Sequence, residues 1–216
     1  MCGRYALGPE PWSVFQEPFR LTQPAPNLRP SWNIRPTNSA PVILKRDGHY
    51  EMRQMRWGFQ FRVNGKSVAG FNAKSETATT TWPYRAAITR RHCLVPATGF
   101  YEWVGPKRAR KPHFIHLRTA PLMFMAGLWE EYGLKDDKAD CFTILTTAAN
   151  RFMQPLHTRM PVILTQSSWV DWLEHAAPVQ SLAQISAEAM AEHEVGPLQG
   201  DHAGLTAPAP QGDFGF

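Results

Sequence analysis

The stretch Pro41-Val42-Ile43-Leu44-Lys45-Arg46-Asp47-Gly48-His49-Tyr50-Glu51-Met52-Arg53-Gln54-Met55-Arg56-Trp57 decides the fold class. Two β-rich runs, Pro41 to Arg46 and Tyr50 to Trp57, flank Asp47-Gly48, a dipeptide suited to the positive φ angles of a two-residue hairpin turn. In the second run Tyr50, Met52, Gln54 and Arg56 fall on one face, and Glu51, Arg53, Met55 and Trp57 on the other. Outward from this hairpin, strands dominate. Cys93 to Pro96, Gly99 to Val104, His113 to Arg118, Leu122 to Trp129, Phe142 to Thr147 and Val162 to Leu164 are short apolar or alternating runs. Helical spacing is confined to Pro9–Phe19, to a start after Ser75 as N-cap, and to Thr165–His175 and Pro178–Ala191. The expectation is α+β: one domain over residues 1–195 with a β-rich core that could close into a barrel, flanked by short helices. A Gly/Pro/Ala-rich tail, 196–216, is expected to be loosely ordered.

Composition narrows the function. The chain has 216 residues, 43% of them hydrophobic, so a sizeable core is available. No apolar run reaches membrane-spanning length and no signal-peptide pattern opens the chain, so a cytoplasmic protein without membrane contact is expected. The three cysteines, Cys2, Cys93 and Cys141, suit neither a disulfide framework nor paired zinc hooks. Reduced thiols and no metal are the expectation. The net charge of +5 conceals an asymmetry: residues 1–159 hold all 23 Lys and Arg against 11 acidic residues (+12), while 160–216 hold 7 acidic residues and no Lys or Arg (−7). A basic body points toward a polyanion, nucleic acid above all.

The second residue carries the most specific chemistry. Were Met1 removed, Cys2 would present an α-amine titrating near ~7.7–8 and a thiol near ~8.5 on adjacent carbons. Such a 1,2-aminothiol attacks an aldehyde through nitrogen and closes a thiazolidine ring through sulfur. Schiff-base formation needs groups that cycle protons. Glu102, set between Tyr101 and Trp103 where burial could raise its pKa, and His157 are the candidates. Asn72 offers an amide that both donates and accepts. Each also has a plainer reading: a surface carboxylate, a structural histidine and a helix cap.

Met1-Cys2-Gly3-Arg4-Tyr5, Asn33 to Pro36, Trp57-Gly58, Asn72-Ala73-Lys74-Ser75-Glu76-Thr77, Gly99-Phe100-Tyr101-Glu102-Trp103, Ala126-Gly127-Leu128-Trp129-Glu130 and His157-Thr158-Arg159-Met160-Pro161 occur in this order. Together they resemble the SOS-response-associated peptidase (SRAP) family over roughly residues 1–164. The resemblance implies a sensor of abasic sites in single-stranded DNA whose N-terminal cysteine crosslinks covalently to the ring-opened sugar aldehyde. It also implies a peptidase activity tied to removal of the first methionine, and no cofactor. By the same resemblance Cys2 is the nucleophile, Asn72 positions it, and Glu102 and His157 move protons. Arg4, Lys74 and Arg159 would hold phosphates, and Asn33, Pro36 and Thr146 would line the DNA path. Trp57 either stacks on an exposed base or fills the core. A monomer, working beside the replication or repair machinery and nucleoid-associated when bound to DNA, is expected. The sequence departs from the family pattern at Lys74, where arginine is usual, and at Phe59 to Asn64, which lacks the Pro and Trp that usually follow Trp-Gly. Two other readings stay open: an N-terminal-nucleophile amidohydrolase, and a single-strand binding module that leaves the cysteine idle.

Overall fold

The computed structural model describes residues 3–21, 28–64, 66–106, 108–134, 137–175 and 177–210. In chain order its strands are β1 (Tyr5–Leu7), β2 (Ser31–Ile34), β3 (Ser39–Arg46), β4 (His49–Trp57), β5 (Phe59–Val63), β6 (Lys66–Gly70), β7 (Asn72–Lys74), β8 (His92–Ala97), β9 (Gly99–Val104), β10 (Lys111–Leu117), β11 (Met123–Leu134), β12 (Asp137–Ala148), β13 (Arg159–Pro161), β14 (Ile163–Leu164) and β15 (Met190–Glu194). The α-helices are short: α1 (Ser13–Phe19), α2 (Tyr84–Ala87) and α3 (Trp169–Leu173).

The hairpin forms as its sequence dictates. β3 pairs antiparallel with β4 from Ser39↔Arg56 to Arg46↔His49. Asp47 and Gly48 turn the chain at φ 50° and 82°, the doubly positive geometry that matches the twist of the flanking strands. β4 continues to parallel pairing with β12, β3 pairs with β8, β8 with β11, and β11 with β12. These five strands thus close a ring of pairings. A second sheet, in the order β15-β10-β9-β1-β2, lies beside it, and β5 and β6 form a separate two-stranded ribbon.

Alternation explains how the two sheets share side chains. On β9, Phe100 enters the large core that fills the ring, whereas Tyr101 enters a smaller cluster with Ala6, Phe114 and Val195. The next residue, Glu102, falls on the Phe100 face and is buried, at 5% exposure. One strand therefore serves two cores and carries a buried carboxyl group on the face it turns toward the larger one.

Three local expectations change. Pro178–Ala191 is not a helix: two 3-10 turns, Val179–Ser181 and Ala187–Ala189, precede strand β15. Its backbone is taken by β14 and its flanks, with Ile185 N–H donating to Ile163 O at 2.9 Å and Thr165 N–H to Ala183 O at 3.0 Å. Tertiary pairing here outweighs helical spacing. Ser75 caps no helix. It is buried, its N–H donates to Thr146 O at 2.9 Å, and turns run on until α2 begins after Pro83. The Gly/Pro/Ala-rich end differs as well, as far as residue 210. Asp201 accepts from the Ser31 hydroxyl at 2.8 Å and from Trp32 N–H at 2.6 Å; Gly200 O accepts from the Asn33 amide at 2.6 Å; Ala209 N–H donates to Glu194 O at 2.8 Å. Among the described residues no helix is long and apolar enough to cross a membrane.

Candidate functional site

Cys2 lies outside the described residues, but the chain that follows it is fixed. β1 runs antiparallel to β9 with Tyr5 opposite Phe100, and Arg4 O accepts the Tyr101 N–H at 2.9 Å. An antiparallel register advances one strand as it retreats along the other. The approach to the N-terminus is thereby directed along β9 toward Glu102. The other two cysteines are removed from chemistry. Cys93 and Cys141 are buried and free; burial pushes the Cys93 thiol well up and the Cys141 thiol up to about 11, which suppresses the thiolate.

Glu102 and His157 meet in one cleft. Its volume is about 650 Å³, and its lining includes Glu102, Trp103, Arg110, Pro155, Leu156 and His157. The half-buried His157 ring is oriented by its neighbour: Nδ1 accepts the Arg159 N–H at 2.9 Å. Nδ1 also lies 3.2 Å from Arg159 O, so the same backbone can accept from it in the other tautomer, and the neutral ring can carry its proton on either nitrogen. A carboxyl group and an imidazole facing one space form a pair able to shuttle a proton to and from a reacting amine or hydroxyl.

Asn72 opens β7, which pairs in parallel with β12 through Asn72↔Ile144 and Thr146↔Lys74. Its carbonyl accepts the Tyr84 hydroxyl at 3.4 Å. On the far side of β12, Arg159 of β13 pairs with Ala148. Its guanidinium grips the Glu76 carboxylate with two nitrogens, at 3.0 and 2.8 Å, and donates to Thr146 O at 2.6 Å. That contact holds the Glu76 carboxyl below its ordinary range. Thr146 is buried at 1% exposure, with its hydroxyl donating to Ala73 O at 3.3 Å and accepting from Arg159 at 3.2 Å. It braces Arg159 instead of facing solvent. Lys74 is exposed and Pro36 half-buried.

Arg4 occupies the opposite face of β9. Its guanidinium lies 5.5 Å from the centre of the Trp103 ring, donates to Asn33 Oδ1 at 3.2 Å and to Leu198 O at 3.3 Å. Burial first, then the nearby Arg35 charge, lowers its pKa from the ordinary value. Asn33 is itself buried at 4% exposure between Arg4 and Gly200.

Of the two readings of Trp57, stacking on a base is the one that fails. Trp57 is fully buried, stacked on Phe142 at 6.3 Å and edge-on to Tyr5 at 5.2 Å, with its indole N–H donating to Phe71 O at 2.7 Å. A ring so enclosed has no face to offer a base, so its core reading holds. Sequence reasoning also overlooked contributors. Arg110 is exposed and lines the cleft. Trp103 lines the same cleft beneath Arg4, and its position immediately after Glu102 was the available signal. The role of Glu76 as Arg159's partner had no local signal, because 83 residues separate them.

The profile of the SOS response associated peptidase family matches residues 1–199. The chain belongs to the SRAP family. Abasic site processing protein YoqW of Bacillus subtilis is 31% identical over 215 residues, covering 92% of this chain and 93% of that one. Escherichia coli YedK, also an abasic site processing protein, is 24% identical, covering 87% and 86%. A crystal structure of a Bacteroides thetaiotaomicron protein superposes with a TM-score of 0.82 at 21% identity, covering 96% of this chain and all of that one; it speaks for the fold alone. The SRAP assignment unites what the sequence motifs scattered: all seven quoted segments lie within the matched residues.

Proposed function

We propose that this chain captures abasic sites in single-stranded DNA covalently through Cys2, shielding the lesion. The observation that supports the reading is the register of β1 on β9, which runs Tyr5 and Arg4 beside Phe100 and Tyr101, next to buried Glu102, which lines one cleft with His157. The names of the relatives, abasic site processing proteins, supply the substrate class.

The chemistry follows from the groups at hand. With Met1 hydrolysed away, the α-amine of Cys2 adds to the C1′ aldehyde of the ring-opened sugar to give a carbinolamine. Protonation of its hydroxyl lets one water leave and an imine form; the Cys2 thiol then adds to the imine carbon, sulfur bonding to carbon and the thiol proton ending on nitrogen. Aldehyde, amine and thiol become a thiazolidine plus one water, with no redox change. Glu102 and His157 act as the proton donor and acceptor for these steps, and Asn72 orients the amine or the sugar. Hydrolysis of the ring would reverse the capture. The imine can also lose a proton from the sugar and eliminate the 3′ phosphate, which would give lyase-like activity, and the same carboxyl–imidazole pair suits self-removal of Met1. Lys74 and Arg159 supply positive charge on the strands flanking β12, and Arg110 supplies it at the cleft.

The test is direct. Purified protein is incubated with abasic and intact single-stranded oligonucleotides and resolved on denaturing gels for wild type, Cys2→Ala and Glu102→Gln. An adduct with abasic DNA only, absent in Cys2→Ala and formed roughly 10²–10⁴-fold more slowly in Glu102→Gln, is expected. No denaturation-resistant adduct between about pH 6 and 8 rejects the proposal, and glutamine hydrolysis in its place would favour an amidohydrolase.

A further inference from the structure

Four large hydrophobic residues are exposed among the described residues: Val63, Val68, Trp82 and Val170. Three of them lie together. In the β5–β6 ribbon Phe61 is paired with Val68, and Val63 with Lys66. Directly paired residues share a face of an antiparallel ladder, so Phe61, Val63, Val68 and Lys66 look the same way. Trp82, 53% exposed, stands edge-on to Phe61 with 5.3 Å between ring centres. Indole, phenyl and two valines thus make one continuous apolar surface with an aromatic at its end.

This surface is rigidly coupled to the candidate site. Two residues beyond Trp82, Tyr84 packs its ring 5.7 Å from that of Phe59 and sends its hydroxyl to Asn72 O. A Cβ on Gly70 would lie 2.1 Å from that hydroxyl, so the ribbon and the Trp82 segment are in close contact. β6 ends at Gly70 and β7 starts at Asn72. Four residue steps, at most about 13 Å of extended chain, separate Val68 from Asn72.

The charge around the surface selects its occupant. Between Glu51 and Glu102 the sequence carries eight Lys or Arg and a single acid, Glu76, and Glu76 is held by Arg159. Lys66, Lys74 and Arg85 are exposed. Arg53 and Arg91 among the eight are paired with Asp140 and Glu130, but an apolar aromatic face beside the exposed cations Lys66, Lys74 and Arg85 fits a strand that is apolar on its base faces and negative along its backbone. We propose that Trp82, backed by Phe61 and the valines of the β5–β6 ribbon, is a stacking platform for an unpaired base next to the lesion. The platform holds the strand by nucleotides other than the reacting one and reads no sequence, since every base has a π face. It rests on the single-stranded DNA reading above and adds a binding site outside the cleft.

The test separates the two. Non-covalent affinity is measured by fluorescence anisotropy for an intact single-stranded oligonucleotide, in a Cys2→Ala background where no crosslink can form. Trp82→Ala and Val68→Ser are expected to weaken binding, the former by about five- to a hundredfold, while Trp82→Phe keeps most of it. Circular dichroism checks that each variant is folded. Unchanged affinity in folded Trp82→Ala, or no measurable binding by the parent, overturns the platform. In parallel, wild type and Trp82→Ala are given saturating abasic oligonucleotide; equal final crosslink yield places the platform in binding, and a wild type that forms none counts against covalent capture whatever the anisotropy shows.

Discussion

His92 shows what burial does to one side chain. Its ring stacks on Trp172 with centres 3.6 Å apart, and its nitrogens lie 2.7 Å from Trp172 O and 2.8 Å from Ile88 O. Two carbonyls facing two ring nitrogens favour the doubly protonated ring, but desolvation is the larger effect and pushes the pKa down to about 4. The unfolded chain, titrating near 6.5, takes up the proton first. The contribution of neutral His92 is therefore complete above about pH 6.5 and drains away as pH falls toward 4, by up to about 3 kcal/mol. Urea unfolding at pH 7.5 and pH 5 should show wild type losing more stability than His92→Gln; equal losses would refute this assignment. The same residue-scale logic made the candidate site only partly legible. Glu102 between two aromatics suited burial or the surface, and only its place on β9 decides for burial. Trp57 did not reveal that it was core, because a Trp before Gly suits either a surface or an interior, and only Phe142, Tyr5 and Phe71 closing around it decide.

At the scale of elements, β9 bears the most. It supplies Phe100 to one core, Tyr101 to the other and Glu102 to the cleft. Gly99 sets its distance from β10: a Cβ there would lie 2.4 Å from Ile115 O and 2.4 Å from the Phe114 ring. Gly99→Ala must push the two strands apart, at about 1–3 kcal/mol, a fall of several degrees in Tm for a chain of this size. Calorimetry would check it, and an unchanged Tm would show that β10 yields freely. Strands were well read from sequence, since alternation and the Asp47-Gly48 turn are local signals. The helix expected over 178–191 was misread because Leu182, Ile185 and Met190 satisfy helical spacing, while the partner that claims Ile185, Ile163 of β14, lies 22 residues earlier. A closed core was among the expectations, but which strands close it was not legible, because closure depends on β4 meeting β12 in parallel across 85 residues.

For the whole molecule, the charge division seen in the sequence acquires a position. Asp201, from the acidic C-terminal part, binds Ser31 and Trp32 beside Arg4 and Asn33. Asp201→Ala removes two hydrogen bonds at a partly open site and should lower stability by about 1 kcal/mol. It should also make the segment after Glu194 more sensitive to limited proteolysis. Cleavage at the wild-type rate would mean that the remaining contacts suffice.

These contacts also impose an order on biosynthesis. β10, made near the middle of the chain, waits for β15 to cover its edge, and Asn33, made early, waits for Gly200. A ribosome-bound chain that has not released Met190 onward presents an open strand edge, a template for pairing with other chains. Translation that stops between Leu117 and Met190 would therefore leave an aggregation-prone fragment in which Asn33 has Arg4 as a partner but not Gly200. The covered edge of β10 and the Asn33–Gly200 contact thus form only after Met190 to Gly200 have been made.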